Sequence, residues 1–348
     1  MNSDWQDFLN SQAARIDVDE RVQFPPVETE GDCQLVDLSH LGLISVTGGD
    51  SELFLQGQTT NDVRNIGPEH FQISALCTPK GRMQASFIAF HQQDGYLLQM
   101  PRATQQTLLK RLPMFVLMSD VVIADASDRW ARFGVLGRSA EALLGELFGR
   151  LPERPWKAVV EGRVTLLRHA GERPRFELIG PPQAMIELWQ RLARSATPVN
   201  SERWALERIR AGIPTIHGAT SEAFLPQMAN MQLIDGVSFT KGCYTGQEVV
   251  ARTKYLGKVK RRMYLATVDS DTPPQPGDEL FAERSDSDRA SGRVVDAAPS
   301  PNGGYELLAV VEIERQEQEQ IHLGSTTGAT LSFNPLPYPF EQEQNPNP

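Results

Sequence analysis

Two stretches of this chain carry the same succession of short apolar runs and short helices, and that succession limits the folds open to it. Leu41–Thr47 reads as a strand, turned at Gly48-Gly49 into a helix from about Asp50 to Gln58. Acidic residues sit in its first turn, where the helix dipole favours them. Strand-like runs at Phe71–Cys77 and Met83–His91 flank Thr78-Pro79-Lys80-Gly81-Arg82. Gln93-Asp94-Gly95 is a hairpin signal before a third run, Tyr96–Met100. A helix over Ala103–Leu112 stops at Pro113, and Phe115–Ala124 reads as a returning strand. A weaker second series follows: strand Trp130–Leu136, helix Ser139–Phe148, strands Ala158–Val160, Val164–Arg168 and Phe176–Ile179, and amphipathic helix Gln183–Ser195. Two such series predict an α+β body with antiparallel sheets. No sequence repeat is strong enough to assert duplication.

Ser201 is placed to cap a helix over Glu202–Ala211, ended by Gly212 and Pro214. Beyond residue 262 the texture changes. Short β runs at Met263–Val268, Glu279–Ala282, Gly292–Val295, Leu307–Ile313 and Ala329–Phe333 are separated by Pro, Gly and Asp, which predicts a small all-β barrel or sandwich. Glu314–Gln320 reads as a polar loop. The expected domains are therefore an N-terminal tail and linker (1–30), an α+β body (31–262), a β-barrel (263–340) and a disordered tail (341–348).

Composition excludes several classes. No apolar run approaches the roughly 18–20 residues of a membrane span, and the acidic first thirty residues are unlike basic leaders. The net charge of −10 disfavours nucleic acid on average. The three cysteines, Cys33, Cys77 and Cys243, are far apart and form no CxxC, so neither a disulfide framework nor a metal site within this chain is expected. A reducing cytoplasm suits them.

The most informative segment runs from Gly236 to Arg262. Thr245-Gly246-Gln247-Glu248 fits a capping box, opening a helix from about Gly246 to Thr253. Cys243 then lies just before a helix N-terminus, with Lys241 two residues upstream; both favour thiolate over thiol. That makes Cys243 a candidate reactive thiol or soft-metal ligand, although a free cysteine more often simply packs. Lys241, Arg252, Lys254, Lys258, Lys260, Arg261 and Arg262 face one acid, Glu248. The block is either an ordinary solvated face or an anion site.

Lys241-Gly242-Cys243-Tyr244-Thr245-Gly246-Gln247-Glu248, continuing to Arg252, resembles the signature of the YgfZ family. Leu41–Asp62, Arg208–Pro214 and Phe224–Phe239 are similar to the glycine-cleavage T-protein superfamily, and the likeness covers roughly residues 35–335. The resemblance implies interlocked ferredoxin-like lobes forming a folate-binding body plus a C-terminal β-barrel. It implies tetrahydrofolate or a derivative as bound ligand, and a role in supporting the assembly or repair of iron–sulfur enzymes, including tRNA methylthiolation. The implied partners are those client enzymes or assembly proteins; direct tRNA binding and membrane attachment are not expected. Cys243 and Lys241 become the candidate catalytic residues. Trp204, Glu207, Tyr244 and Arg252 are the candidate folate contacts, Trp204 for stacking and Glu207 at the pterin edge. Gly242, Thr245, Gly246, Gln247 and Glu248 are expected to shape the motif.

The sequence also departs from the superfamily. Some relatives have tryptophan near Leu41, and many have Glu where Arg210 stands. The T protein's aspartate pair falls near Ala85 and Ser86, with Gln84 and Phe87 beside them, so the acid–base group that aminomethyl transfer needs is not expected there. The alternative to an accessory protein is a folate-dependent one-carbon transferase with atypical catalytic groups. An RNA-binding module built on Lys254–Arg262 ranks last.

Overall fold

The computed structural model describes residues 1–26, 31–92, 95–255, 257, 259–284 and 289–340. Three sheets form the framework. One contains five strands in the order Gln72–Cys77, Met83–Gln92, Gly95–Pro101, Leu41–Thr47 and Val122–Asp125, all antiparallel. A second contains six: Lys157–Glu161, Val164–Arg168, Arg175–Gly180, Ala131–Gly137, Cys33–Asp37 and Thr197–Val199, the last parallel to its neighbour. Both follow one plan of a strand, a helix, three hairpin-linked strands, a helix and a final strand. The repeat that composition hides is plain in the strand order. Cys33–Asp37, which precedes the five-stranded sheet in the chain, belongs to the six-stranded one, between Ala131–Gly137 and Thr197–Val199.

Each sheet buries one face under helices. On the six-stranded sheet, Leu35, Phe133, Val135, Phe176 and Leu178 pack beneath helices Ser3–Ser11 and Pro182–Leu192. Trp5, Phe8, Phe133 and Trp189 meet there, with ring centroids 5.1–6.4 Å apart. The first residues are therefore core rather than the expected tail and linker: the apolar face of Ser3–Ser11 completes this layer. The five-stranded sheet packs Ile44, Val46, Phe87 and Leu98 against helices Ser51–Gln58 and Arg102–Arg111.

The inner faces of the two sheets oppose each other. Leu43, Ile88, Phe90, Leu97, Leu167 and Ile179 fill one end of that layer. The third sheet, order Ile321–Leu323, Glu279–Ala282, Gly292–Pro299, Tyr305–Glu312, Arg261–Val268, Leu331–Asn334, curls until His322 bridges Thr330, giving an antiparallel half-barrel.

Several expectations need correction. Phe115–Ala124 is not one strand. A 3-10 turn covers Leu112–Phe115 and only Val122–Asp125 pairs, because Leu117 takes a positive φ of 36° and breaks the run. Ser201 makes no side-chain cap; its hydroxyl accepts from Val22 N at 2.9 Å and donates to Asp37 O at 3.2 Å. Ile313–Gln318 is a short helix where a loop was expected, and Arg315 pairs with Glu319 across its end. Part of the Gln93-Asp94-Gly95 turn and the 341–348 tail lie outside the described residues.

Candidate functional site

Thr59, Thr60 and Asn61, between a helix and the edge strand Gln72–Cys77, anchor the approach to the motif. Thr60 Oγ1 donates to Gly236 O at 2.8 Å, and Asn61 Nδ2 to Asp235 O at 2.6 Å. Lys241 completes the clamp. Its buried ammonium donates to the carbonyls of Thr59 (2.6 Å) and Asn61 (2.8 Å) and lies 5.2 Å from the Tyr244 ring centroid. Burial lowers its pKa to about 8. Every short contact of the ammonium is to backbone carbonyls of its own fold, so Lys241 is a strut for the loop rather than a side chain displayed for reaction. Tyr244 is buried as well, which raises its hydroxyl pKa.

Past Lys241 the chain emerges. Gly242 and Cys243 are exposed, and a Cβ placed on Gly242 would have nothing within 4 Å. Cys243 is the one exposed cysteine; burial pushes the Cys33 and Cys77 thiols up to about 11 and about 12. Then the chain docks again. Gly246, with φ +87°, brings its Cα against the Thr78–Arg82 turn, where a Cβ would lie 2.4 Å from Thr78 O and 3.0 Å from Gly81 Cα. Gly81, φ +72°, returns the contact against Val249. The thiol thus sits on a short exposed arch fixed at both feet.

Helix Gln247–Tyr255 follows. The reciprocal cap expected of Thr245 and Glu248 is replaced: Glu248 pairs with Arg252 one turn on. Gln247 N instead bonds Tyr244 O at 3.1 Å. Arg252 is exposed, and its recorded ion pair is that one. The basic block is part exposed and part engaged: Arg252, Lys254 and Lys260 face solvent, while some of its members meet partners within the protein. Arg261 pairs with Glu312 at 2.7 Å, Lys254 lies 3.9 Å from the Phe239 ring centroid, and Arg262 lies 4.4 Å from that of Phe340. Lys258 lies outside the described residues.

A hollow of about 340 Å³ adjoins this segment, sharing Asn61, Asp235 and Ser238 with it. Such a volume suits a small organic ligand, which typically needs roughly 300–1,000 Å³. Phe71 and Trp156, 5.3 Å apart, form its aromatic wall. Gln72 Nε2 and His70 Nδ1, both buried, line it without a hydrogen-bond partner in the described structure. The half-buried Trp156 ring, tilted 59° from Phe71 behind it and set beside polar atoms without partners, could take a heteroaromatic ring such as a pterin.

Trp204 is elsewhere and closed. Its ring is 1% exposed, covered by the Arg175 guanidinium at 4.9 Å, edged by His169 at 5.2 Å, and pressed onto Gly134, where a Cβ would meet it at 2.4 Å. Its helix turns it into the six-stranded sheet, so Trp204 offers no open stacking face. Glu207 is buried too, 3.7 Å from Arg203 and 3.4 Å from Arg210, whose guanidinium also holds Glu306 at 2.6 Å. Ala85 points into the helix-covered core, while Ser86 binds Pro214 O and Ile216 N. Gln84 donates to Glu222 at 2.8 Å, an acid brought in from a distant loop.

Around Trp204 lies a group the sequence did not disclose. Arg132, Arg175, Glu177 and His169 are buried on the inner face of the six-stranded sheet. Arg175 and Glu177 stand two apart on one strand with Arg132 on the next, and that alternation, common in exposed strands as well, is their only signal in the sequence. Among the described residues no cluster of three or more His, Cys, Asp or Glu could hold a metal, and no helix is long and apolar enough to cross a membrane.

These features define a protein of the T-protein fold. The GCVT N-terminal domain family matches residues 27–234. The glycine cleavage system aminomethyltransferase T from Bartonella henselae superposes with a TM-score of 0.74 over 97% of both chains at 15% identity, a likeness of fold. Within that class the chain belongs to the YgfZ family. It is 34% identical to the tRNA-modifying protein YgfZ of Sodalis glossinidius, covering 91% of this chain and 98% of that one. It is likewise 34% identical to the tRNA-modifying protein YgfZ of Escherichia coli O6:K15:H31, over 90% and 97%.

Proposed function

We propose that this protein binds a tetrahydrofolate-type ligand in the hollow walled by Phe71 and Trp156, and that it supports tRNA modification as its relatives' name indicates. On this reading the arch carrying Cys243 meets the client, an iron–sulfur enzyme or assembly protein of the tRNA-methylthiolating kind in the cytoplasm. The observation that carries it is an exposed thiol, fixed at both feet, on a loop that shares residues with a ligand-sized hollow. One cysteine supplies one ligand, so any cluster at Cys243 is shared with a partner. Arg252 and Lys254, both exposed, attract an anionic tail from outside rather than clamp it. Aminomethyl transfer is not expected, because an alanine and a bonded serine occupy the strand positions where that chemistry would place its acids.

Two measurements test the reading. Calorimetric titration with tetrahydrofolate should show binding. In cells lacking the native gene, the wild type should restore tRNA methylthiolation and Cys243→Ala should not. Full rescue by Cys243→Ala would remove the thiol from the function, and a flat titration would remove the folate.

A further inference from the structure

Where the five-stranded sheet's Thr78–Arg82 turn meets the half-barrel, four arginines line one hollow of about 350 Å³. Arg82 comes from the turn, Arg261 and Arg293 from half-barrel strands, and Arg289 from the loop before the second of those strands. Like charges repel, so on a chain of net charge −10 such a gathering calls for acids to answer it. The acids at hand are spent elsewhere. Glu312 faces Arg261 across one strand pair and bonds it at 2.7 Å; Glu279 faces Arg293 across another and bonds it at 3.0 Å. Both are ordinary cross-strand pairs. Glu222 turns its carboxylate to Gln84, 2.8 Å away. Asp286 and Asp288, which precede Arg289 in the chain, lie outside the described residues. Arg82 therefore has no acid among the described residues. Its Nη1 donates to the carbonyls of Ala223 (2.6 Å) and Glu222 (3.4 Å), which fixes the guanidinium and leaves Nε and Nη2 without partners there. The segment that holds it is itself fixed: Glu222 N donates to Met83 O at 2.7 Å, and Met83 N to Phe224 O at 2.8 Å. Arg289, exposed at the opposite side of the hollow, likewise has no ion pair among the described residues.

The lining selects the ligand. A cation is repelled, and an apolar molecule leaves the guanidiniums unanswered. A carboxylate offers two oxygens and one charge. A phosphate offers three oxygens on up to two charges, so one group can meet guanidinium forks from both sides of the hollow. The hollow is also larger than a phosphate alone requires, and Phe224, Met228 and Val310 give it an apolar floor. An RNA strand would need such contacts repeated along a groove, whereas these close on one place. We infer that this hollow binds a small phosphorylated molecule of nucleotide size, its phosphate held by Arg82 and Arg289 and its apolar part resting on Phe224 and Met228. The site is separate from the hollow walled by Phe71 and Trp156 and shares no lining residue with it. Gly81, next to Arg82, is where Gly246 and Val249 dock, so an occupant would brace one foot of the arch that carries Cys243.

Calorimetric titration of the full chain with ADP as probe tests it, beside adenosine, which lacks the phosphates, and triglutamate, which carries carboxylates instead. ADP should bind at least about tenfold tighter than either, as the gain of one charge-assisted hydrogen bond requires. Arg82→Gln and Arg289→Gln should each weaken ADP at least about tenfold. Arg138→Gln, an exposed arginine at the end of a strand in the other sheet, should leave ADP unchanged and so shows that general surface charge is not what binds. Should Arg82→Gln fail to fold, Arg289→Gln, on an exposed loop, decides with the ligand comparison. ADP binding no tighter than adenosine or triglutamate, or undiminished in a folded Arg82→Gln, overturns the inference. So does binding of a tRNA transcript without binding of ADP, which would assign the arginines to nucleic acid. Tetrahydrofolate should not displace ADP; displacement would place both in one hollow and overturn the separate site, while a failure of tetrahydrofolate to bind at all touches only the folate reading.

Discussion

Gly242 and Gly246 stand four residues apart in one motif, and the structure predicts opposite outcomes for the same substitution. Gly246 has φ +87°, and an added Cβ would lie 2.4 Å from Thr78 O and 3.0 Å from Gly81 Cα, both backbone atoms that no rotamer change can move. The left-handed conformation costs a residue with a Cβ roughly 1–2 kcal/mol. Forcing a methyl into a filled site costs roughly 1–3 kcal/mol more, so Gly246→Ala should cost about 2–5 kcal/mol. Gly242 is open on every side, and Gly242→Ala should stay within about 0.5 kcal/mol of the wild type. The cost should appear locally, because the contact ties one loop to one turn. Hydrogen exchange over residues 244–255 is therefore the assay, with peptides from the Trp5–Trp189 core as internal reference. Gly246→Ala should speed exchange there by about 30-fold or more, as a loss of about 2 kcal/mol requires. Equal exchange in the two variants would refute the docking of the arch against the Thr78–Arg82 turn.

Further outcomes follow from other contacts. Trp204→Ala should destabilise the fold by about 3–5 kcal/mol, read as a lowered urea midpoint, because it empties a buried site under Gly134 and Arg175. Arg252→Ala, breaking an exposed pair within one helix, should change stability by less than about 1 kcal/mol and weaken tetrahydrofolate only modestly in calorimetry, by a factor that shrinks as salt is added. Burial holds His169 at about 4 and His40 at about 3, both below the unfolded value of 6.5. The unfolded chain therefore takes up their protons first as pH falls below about 6.5, and stability is lost from there down through pH 4. For His169 the full loss is about 3 kcal/mol. Asp37 works the other way: burial raises it to about 6, so the folded chain gains its proton before the unfolded one does, offsetting part of the loss between pH 6 and 4. Urea midpoints across pH 4–8 should fall toward acid, and His40→Gln should flatten that slope.

The elements were legible where periodicity and turn residues agree. The half-barrel strand Glu279–Ala282 falls where its alternation places it, and Gly212, with φ +66°, ends the helix before it. The motif's two feet were half legible. The need for glycine at 246 is visible only once the Thr78–Arg82 turn is known to lie against it, a contact spanning more than 160 residues. Thr245 and Glu248 satisfied the spacing of a capping box, but an ion pair to Arg252 one turn along competes for the same carboxylate. Trp204 illustrates a general difficulty. Helical position shows that a tryptophan faces inward, not whether a ligand or a guanidinium covers it. Ser3–Ser11 is legible as a short amphipathic segment, but its few apolar residues do not show that Trp5 and Phe8 bury enough surface to dock it on the sheet.

The chain divides its polar and apolar interiors between two sides of the same sheet. On one face of the six-stranded sheet, aromatic packing around Trp5, Phe133 and Trp189 gives the lobe its stability. On the other, strands Ala131–Gly137 and Arg175–Gly180 bury arginines and a glutamate that a hydrophobic layer of equal volume would outperform. Such a conflict between burial and polarity, confined to one place in an otherwise consistent core, is expected where binding rather than folding chose the residues. It also links the two. A ligand that meets those groups binds only the folded chain, so saturation at a hundred times its dissociation constant would add about 2.7 kcal/mol to stability. Ligand-dependent protection should accordingly be greatest in those two strands. If tetrahydrofolate slowed exchange only in the exposed arch and left Arg175–Gly180 unchanged, those buried charges would serve the fold and not the ligand.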